Sequence, residues 1–400
     1  MTASDLSERS TMPTRLTTGF AASQSIASVI ATKMLSHNRS RFFMTIVGIA
    51  IAFFLAAAQI GLLVGWINTN SAIINNTGVD IWVTAEQTAT FDYGTPIPRH
   101  RVQQVASVPG INWAEGMLVG WATWRHPNGK PINVEIVGLD KSLAGKPAQM
   151  LAGDPEIIKQ PETVIVDELF RDLLGVWEIG DEAEIQGKRV IVGGISQGVR
   201  TFTAAPFVFT SIKNAVTYTP FYREDEISYV IARIEAGADI QAVKSRIQRE
   251  VSNVEVLTTA EFAERSVKYW MLETGVGITV IITGILGLLV GIVIMSQTLF
   301  AITQDHLANY ATLLALGFHQ NTLRLIVLTQ SLTLGGLGIA VGAALFAVAA
   351  KASARTPIPL ETTTAVSVGL ILFSLLFCIG ASWFSIRAIF KLDPVSVFHG

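Results

Sequence analysis

The sequence has a single cysteine, Cys378, so no disulfide can close within the chain and no cysteine-built zinc cluster can form. Charge is scarce too: 15% of the 400 residues are Asp, Glu, Lys or Arg, against about a quarter in ordinary soluble domains. The net charge of -2 excludes nucleic acid as the main partner, because a phosphate backbone wants a clearly basic surface. His37, His100, His126, His306, His319 and His399 show no metal-ligand spacing. There is no GxxxxGK[ST] phosphate loop and no GxSxG elbow. Val164-Ile165-Val166-Asp167-Glu168 has the form of a magnesium-holding strand of an ATPase, but without the phosphate loop it is a chance match. No catalytic, cofactor or metal site is expected, and the chain does not read as an enzyme. A secretory signal peptide is not expected either: the first apolar stretch starts near Phe42, is too long, and lacks a cleavage site.

What is abundant is apolar length. Half the residues are apolar and the mean hydropathy is above zero. Spanning a bilayer takes about 20 apolar residues in helix. Stretches at 42–67, 274–303, 324–350 and 362–386 meet that requirement and are predicted to be transmembrane helices. They contain essentially no charge, with Gln59, Gln297 and Gln330 as polar exceptions, which disfavours a proton-relay pump or a hydrophilic channel.

Orientation follows the flanking cations. Lys33, Arg39 and Arg41 precede the first span, and no basic residue follows it until Arg99. Arg387 and Lys391 follow the fourth. Both termini (1–41 and 387–400) are therefore expected in the cytosol, with 68–273 outside. The linker 304–323 is expected inside and the short loop 351–361 outside. Lys351 and Arg355 in that loop run against the rule, but the N-terminal signal is stronger.

Before the first span, Ile26, Val29, Ile30 and Met34 recur at helical spacing and read as an amphipathic helix on the inner leaflet, or alternatively one packed on a partner. Gly61 and Gly65, Gly287 and Gly291, and Gly338 and Gly342 are each spaced four apart. Such pairs clear a stripe for close helix packing, within the bundle or at a dimer face.

In the insert, helical and strand patterns interleave. Strands are predicted at 79–83, 134–137, 182–185, 189–192, 229–234 and 254–257. Helices are predicted at 99–108 and 238–251, and 162–175 reads as a strand running into a helix. The expected fold class is a polytopic α-helical membrane protein with four transmembrane helices. A large α+β extracytoplasmic domain is inserted between the first two.

That order, together with several segments, resembles the permease subunits of the MacB/FtsX superfamily of ABC transporters, closest to the DevC-type exporters. The stretch Asp305-His306-Leu307-Ala308-Asn309-Tyr310-Ala311-Thr312-Leu313-Leu314-Ala315-Leu316-Gly317-Phe318 is similar to the family's cytosolic element. Asn309, Ala311 and Leu314 stand where the family usually has Glu, Gly and Lys. Asp393-Pro394-Val395-Ser396-Val397-Phe398 looks like its closing signature. Residues 201–209 and 258–262 match DevC-type segments. The resemblance covers the chain from about Ile26 onward.

It implies a bacterial inner-membrane permease, working as a homodimer with a separate ABC ATPase that supplies ATP and magnesium. It further implies a membrane-fusion adaptor, an outer-membrane channel and a lipid-like or amphipathic cargo. A lipoprotein-releasing permease and a non-transporting FtsX-like signalling protein are the alternatives. From the residues alone, Leu307, Tyr310, Ala311, Leu314 and Phe318 share one helix face, and Gly317 can supply a left-handed stop. By itself such a helix suits the membrane surface or a partner's groove; the resemblance implies that these residues, with Thr312, Leu313 and Leu316, form a coupling helix docked on the ATPase. In the tail, Asp393 can cap a helix starting at Pro394, presenting Val397 and Phe398 to the cytosol. The second span is expected to continue outward through 261–272 as one rigid helix.

Overall fold

The computed structural model describes residues 28–35, 39–203 and 205–389, so the tail residues Asp393, Pro394, Val397 and Phe398 and the helix residue Ile26 lie outside the described residues. The helices in chain order are α1 (28–35), α2 (Arg39–Asn75), α3 (Arg101–Ala106), α4 (Arg171–Leu174), α5 (Ile212–Tyr218) and α6 (Ile240–Glu250). Then follow α7 (Thr259–Lys268), α8 (Val276–Asp305), α9 (Leu307–Ala315), α10 (Gln320–Ser353) and α11 (Thr364–Ile389). The chain divides into two units. One holds Met1–Gly61, Ile282–Ala352 and Glu361–Gly400; the other holds Leu62–Ile281 and Ser353–Leu360.

The first unit is helical. Three described helices are long and apolar enough to cross a membrane: Phe42–Asn75, Val276–Ile294 and Gln320–Ser353. In the fourth, α11, the described apolar stretch is the shorter Thr364–Gly380. The helix of the first span runs to Asn75, past the expected end at Ile67, and there the Ser71 hydroxyl donates to the Ile67 carbonyl at 3.2 Å. Helices α2, α10 and α11 pack through Phe53, Ala57 and Ile339 against Phe346, Leu370 and Leu375. Helix α8 is different: only 6% of its apolar window is buried, against 39% for α2.

The second unit is an α+β domain built on one ten-stranded mixed sheet among the described residues. The strands are β1 (Ile81–Thr84), β2 (Ile97–Pro98), β3 (Ile111–Arg125), β4 (Pro131–Leu139), β5 (Met150–Ala152) and β6 (Thr163–Asp167). They continue with β7 (Glu182–Ile185), β8 (Lys188–Ser196), β9 (Phe207–Ser211), β10 (Glu226–Ile227), β11 (Tyr229–Ile234) and β12 (Glu255–Thr258). The order is β12-β1-β11-β3-β4-β9-β6-β8-β5, with β7 bridging β3 and β8 and a separate β2–β10 pair. Strand alternation sends Val134 and Ile136 to one face, where α5 and α6 complete a core with Ile212 and Ile247. The other face carries Val137 and Leu139 into an aromatic core of Trp82, Phe91, Phe207, Phe209, Tyr229 and Phe262. On the first face the helix comes close because β4 has glycine there: a Cβ on Gly138 would lie 2.6 Å from the Cβ of Ala215.

Two connections matter for function. The Arg200 guanidinium donates to the carbonyl of Ala354 at 2.9 Å, so the loop Ser353–Leu360 belongs with the insert. The expected rigid extension of the second span, in contrast, is broken. Helix α7 passes into a π-helical turn, Tyr269–Glu273, and Gly275 takes a left-handed φ of 76° before α8 begins. A run of i→i−4 bonds cannot cross such a residue.

Candidate functional site

The linker between α8 and α10 folds as the short helix α9. His306 interrupts α8 in a non-helical conformation, and Gly317 closes α9 with φ 88°, as its position suggested. The Phe318 N–H returns to the Leu313 carbonyl at 3.1 Å, satisfying the end of the helix.

The apolar face expected to meet a partner is divided between two uses. Tyr310 and Ala311 are buried inside the chain, with Ala31 of α1 and Leu323, Ile326 and Val327 of α10. Leu307, Leu313 and Leu314 pack around that core. The Tyr310 hydroxyl donates to Gln330 Oε1 at 2.7 Å, which also accounts for one of the polar residues inside a span. Ile30 and Met34 of α1, partly buried, pack against the same cluster, while Val29 is exposed. What α9 and the turn after it leave open is Ala308, Asn309, Thr312, Ala315, Leu316 and Gly317, with Phe318 half-buried and Leu316 71% exposed.

The spaced glycines lie mostly at contacts between helices of the same chain. A Cβ on Gly338 would stand 2.5 Å from Ile49, and one on Gly342 would stand 2.7 Å from the Ala50 carbonyl oxygen. Glycine there lets α10 and α2 approach backbone to backbone. Gly61 faces Phe346, Gly287 faces Gln59, and Gly65 is buried; Gly291 lies in α8. In the insert, Asp167 proves to be a strand-end cap. Its carboxylate accepts from the Leu169 and Val199 N–H groups and from the Ser196 hydroxyl, at 3.0, 2.9 and 2.9 Å.

The sequence reading missed a buried acid pair. Glu135 on β4 is fully buried, on the aromatic side of the sheet, and neither of its carboxyl oxygens finds a donor among the fixed groups around it. Asp92, in a 3-10 turn at Phe91–Tyr93, is buried beside it. Burial pushes Glu135 well above the ordinary carboxylate range and the neighbouring Asp92 pushes it further. Burial raises Asp92 as well, opposed by hydrogen bonds from Trp270 and Thr90. A lone acid inside the apolar run Val134-Glu135-Ile136-Val137 was the available signal.

With that geometry in view, two family patterns match the chain. The MacB-like periplasmic core domain matches residues 42–250, and the FtsX-like permease C-terminal region matches residues 281–394. No curated protein matches. Among solved structures, the periplasmic region of MacB from Actinobacillus actinomycetemcomitans is similar at 7% identity and a TM-score of 0.38, over 47% of this chain and 92% of that one. The extracellular domain of the noncanonic ABC-type transporter YknZ from Gram-positive bacteria is similar at 11% identity and a TM-score of 0.35, over 45% and 98%. A domain of a putative permease from Porphyromonas gingivalis has 12% identity and a TM-score of 0.31, over 45% and 86%. The assignment rests on the two sequence patterns, which together account for the insert and for the helices that follow it. The chain belongs to the MacB/FtsX-type family of ABC transporter permeases.

Proposed function

We propose that this permease takes up work from a separate ABC ATPase through the exposed face of α9 and delivers it to the insert. Membership in the family implies such an ATPase, and ATP and magnesium belong to that partner. The observation that carries the reading is the division of α9. Tyr310 fastens the helix to α1 and α10 and Ala311 is buried beside it, while Thr312 and Leu316 face outward. A helix fixed on one side and open on the other, with Leu316 as its apolar knob, can press on its parent bundle when a partner groove grips it. The departures at Ala311 and Leu314 fall on the fastened side, and Asn309 on the exposed side.

In this reading all four apolar helices span the inner membrane of a Gram-negative cell, with both termini in the cytosol. The insert, held outside, changes shape during the ATP cycle, a bistable arrangement biased from both ends. A second copy of the chain covers α8, whose Ile282, Ile285, Leu289 and Val293 are exposed. As in DevC-type systems, the cargo is lipid-like or amphipathic and leaves through an adaptor and an outer-membrane channel.

The test is Leu316→Asp in the chain assembled with its ATPase in nanodiscs. The variant is expected to insert and fold normally but to lose at least about tenfold of ATP-driven transport, an energy of about 1.4 kcal/mol at the docking contact. Transport at the wild-type rate sinks the proposal.

A further inference from the structure

The acid pair is joined to the one irregular segment between the insert and α8. Asp92 Oδ2 accepts from the Trp270 indole N–H at 3.0 Å and from the Thr90 hydroxyl at 2.9 Å. Thr90 is bonded in turn to Ser266 of α7 at 2.7 Å, and the Trp270 N–H also reaches Thr90 Oγ1 at 3.1 Å. Trp270 stacks on Tyr93 and meets Phe202 edge-on, with centroids 5.9 and 4.7 Å apart. The π-helical turn is thus held to the domain through the Trp270 indole, shared between Asp92 and Thr90, and through the Tyr269 ring edge-on to Tyr93.

Among the described residues, no cation acts on either carboxyl. The nearby ionisable groups are tyrosines, raised by burial and then by the acids: Tyr93 and Tyr229 of β11 by both, and Tyr222 after α5 by Glu135. Tyr269 from the π-helical turn acts on Tyr93. Burial holds Tyr222 at about 12 and Tyr229 well above its ordinary value, so both stay neutral. Glu135 sits on β4, paired on both sides by β3 and β9, and cannot yield. Asp92 and Trp270 sit on irregular turns, which can.

We propose that Asp92 and Glu135 form a proton-operated latch on the π-helical turn Tyr269–Glu273. While the pair retains a proton, one carboxyl is neutral and Trp270 stays docked. When that proton leaves to solvent, two buried charges face each other without a counter-ion. The 3-10 turn and the π-helical turn then move apart to admit water, and the joint ahead of α8 loosens. The sign follows from linkage: groups whose folded value is raised stabilise the closed form at low pH, and that stabilisation is lost as pH climbs through the raised value. The latch therefore opens on the alkaline side, the reverse of a salt-bridged carboxylate. It stands whether or not α9 meets an ATPase.

The measurement is backbone hydrogen exchange of residues 269–276 in the full chain in nanodiscs, from about pH 5 to about pH 9, corrected for intrinsic exchange. Opening of the wild type should increase by up to roughly tenfold per pH unit between the ordinary carboxylate value and the raised one, and level off above it. Glu135→Gln, which keeps the shape and removes the charge, should stay protected and flat. Trp270→Phe, lacking the indole donor, should exchange fast throughout. A flat wild-type profile, or an inflection that survives in Glu135→Gln, overturns the latch. If Glu135→Gln does not fold, the wild-type profile and Trp270→Phe decide: an inflection in the first that is missing in the second supports it, and its persistence in the second overturns it.

Discussion

At the scale of single residues, the helical unit depends on atoms that are missing. Gly338 sets the distance between α10 and α2, since an added Cβ would lie 2.5 Å from Ile49. Gly338→Ala is expected to cost about 1–3 kcal/mol by overpacking, read as a lowered thermal midpoint of the purified chain. Gly336, two residues away, meets nothing within 4 Å, so Gly336→Ala is the matched control and should be near neutral. Tyr310 supplies the opposite case, an atom that must be present. Tyr310→Phe removes the donor to the buried Gln330 and is expected to lower stability by about 1–2 kcal/mol. Because Tyr310 faces inward, its loss should weaken the fold and the coupling together. Leu316→Asp should affect coupling alone, and comparing the two variants separates fastening from docking.

Among elements, the joint before α8 decides how motion passes. Gly275→Ala forces a Cβ into left-handed backbone and is expected to cost about 1–2 kcal/mol, with faster hydrogen exchange confined to the residues around it. The same joint shows where sequence reasoning succeeds and fails. Patterns of a single element came through well: Tyr229–Ile234 is a strand end to end, and Ile240–Glu250 is a helix. The long β3 escaped because Gly116 and Gly120 interrupt its alternation, and those glycines exist to clear room for Ile227 and Thr219 from elsewhere in the fold. The break at Gly275 was hidden for a related reason. A helical pattern on each side reads as continuous, and only backbone geometry shows the π-helical turn between them. For α9, spacing gave the helix and its glycine stop, but not which half of the apolar face its own chain would cover. That depended on α1 and on Gln330, 20 residues away.

For the whole molecule, the contact between Arg200 and the Ala354 carbonyl ties the loop between α10 and α11 to the insert. Both should then answer to the same side of the membrane. Cys378 is buried, and replacing it by serine gives a clean background for labelling. In that background Phe221→Cys and Arg355→Cys are expected to react with an impermeant thiol reagent from outside the cell, and Leu316→Cys only after the membrane is opened. Reaction of the Arg355 and Phe221 variants from opposite sides contradicts the arrangement of the insert described above.

The segment from Tyr269 to Gly275 carries one more implication. A continuous rod transmits torsion as well as thrust, whereas a rod cut by a flexible coupling delivers thrust and dissipates torsion. Rotation of α8 about its own axis should therefore die out at Gly275, leaving the outer lobe responsive to tilting and piston strokes only.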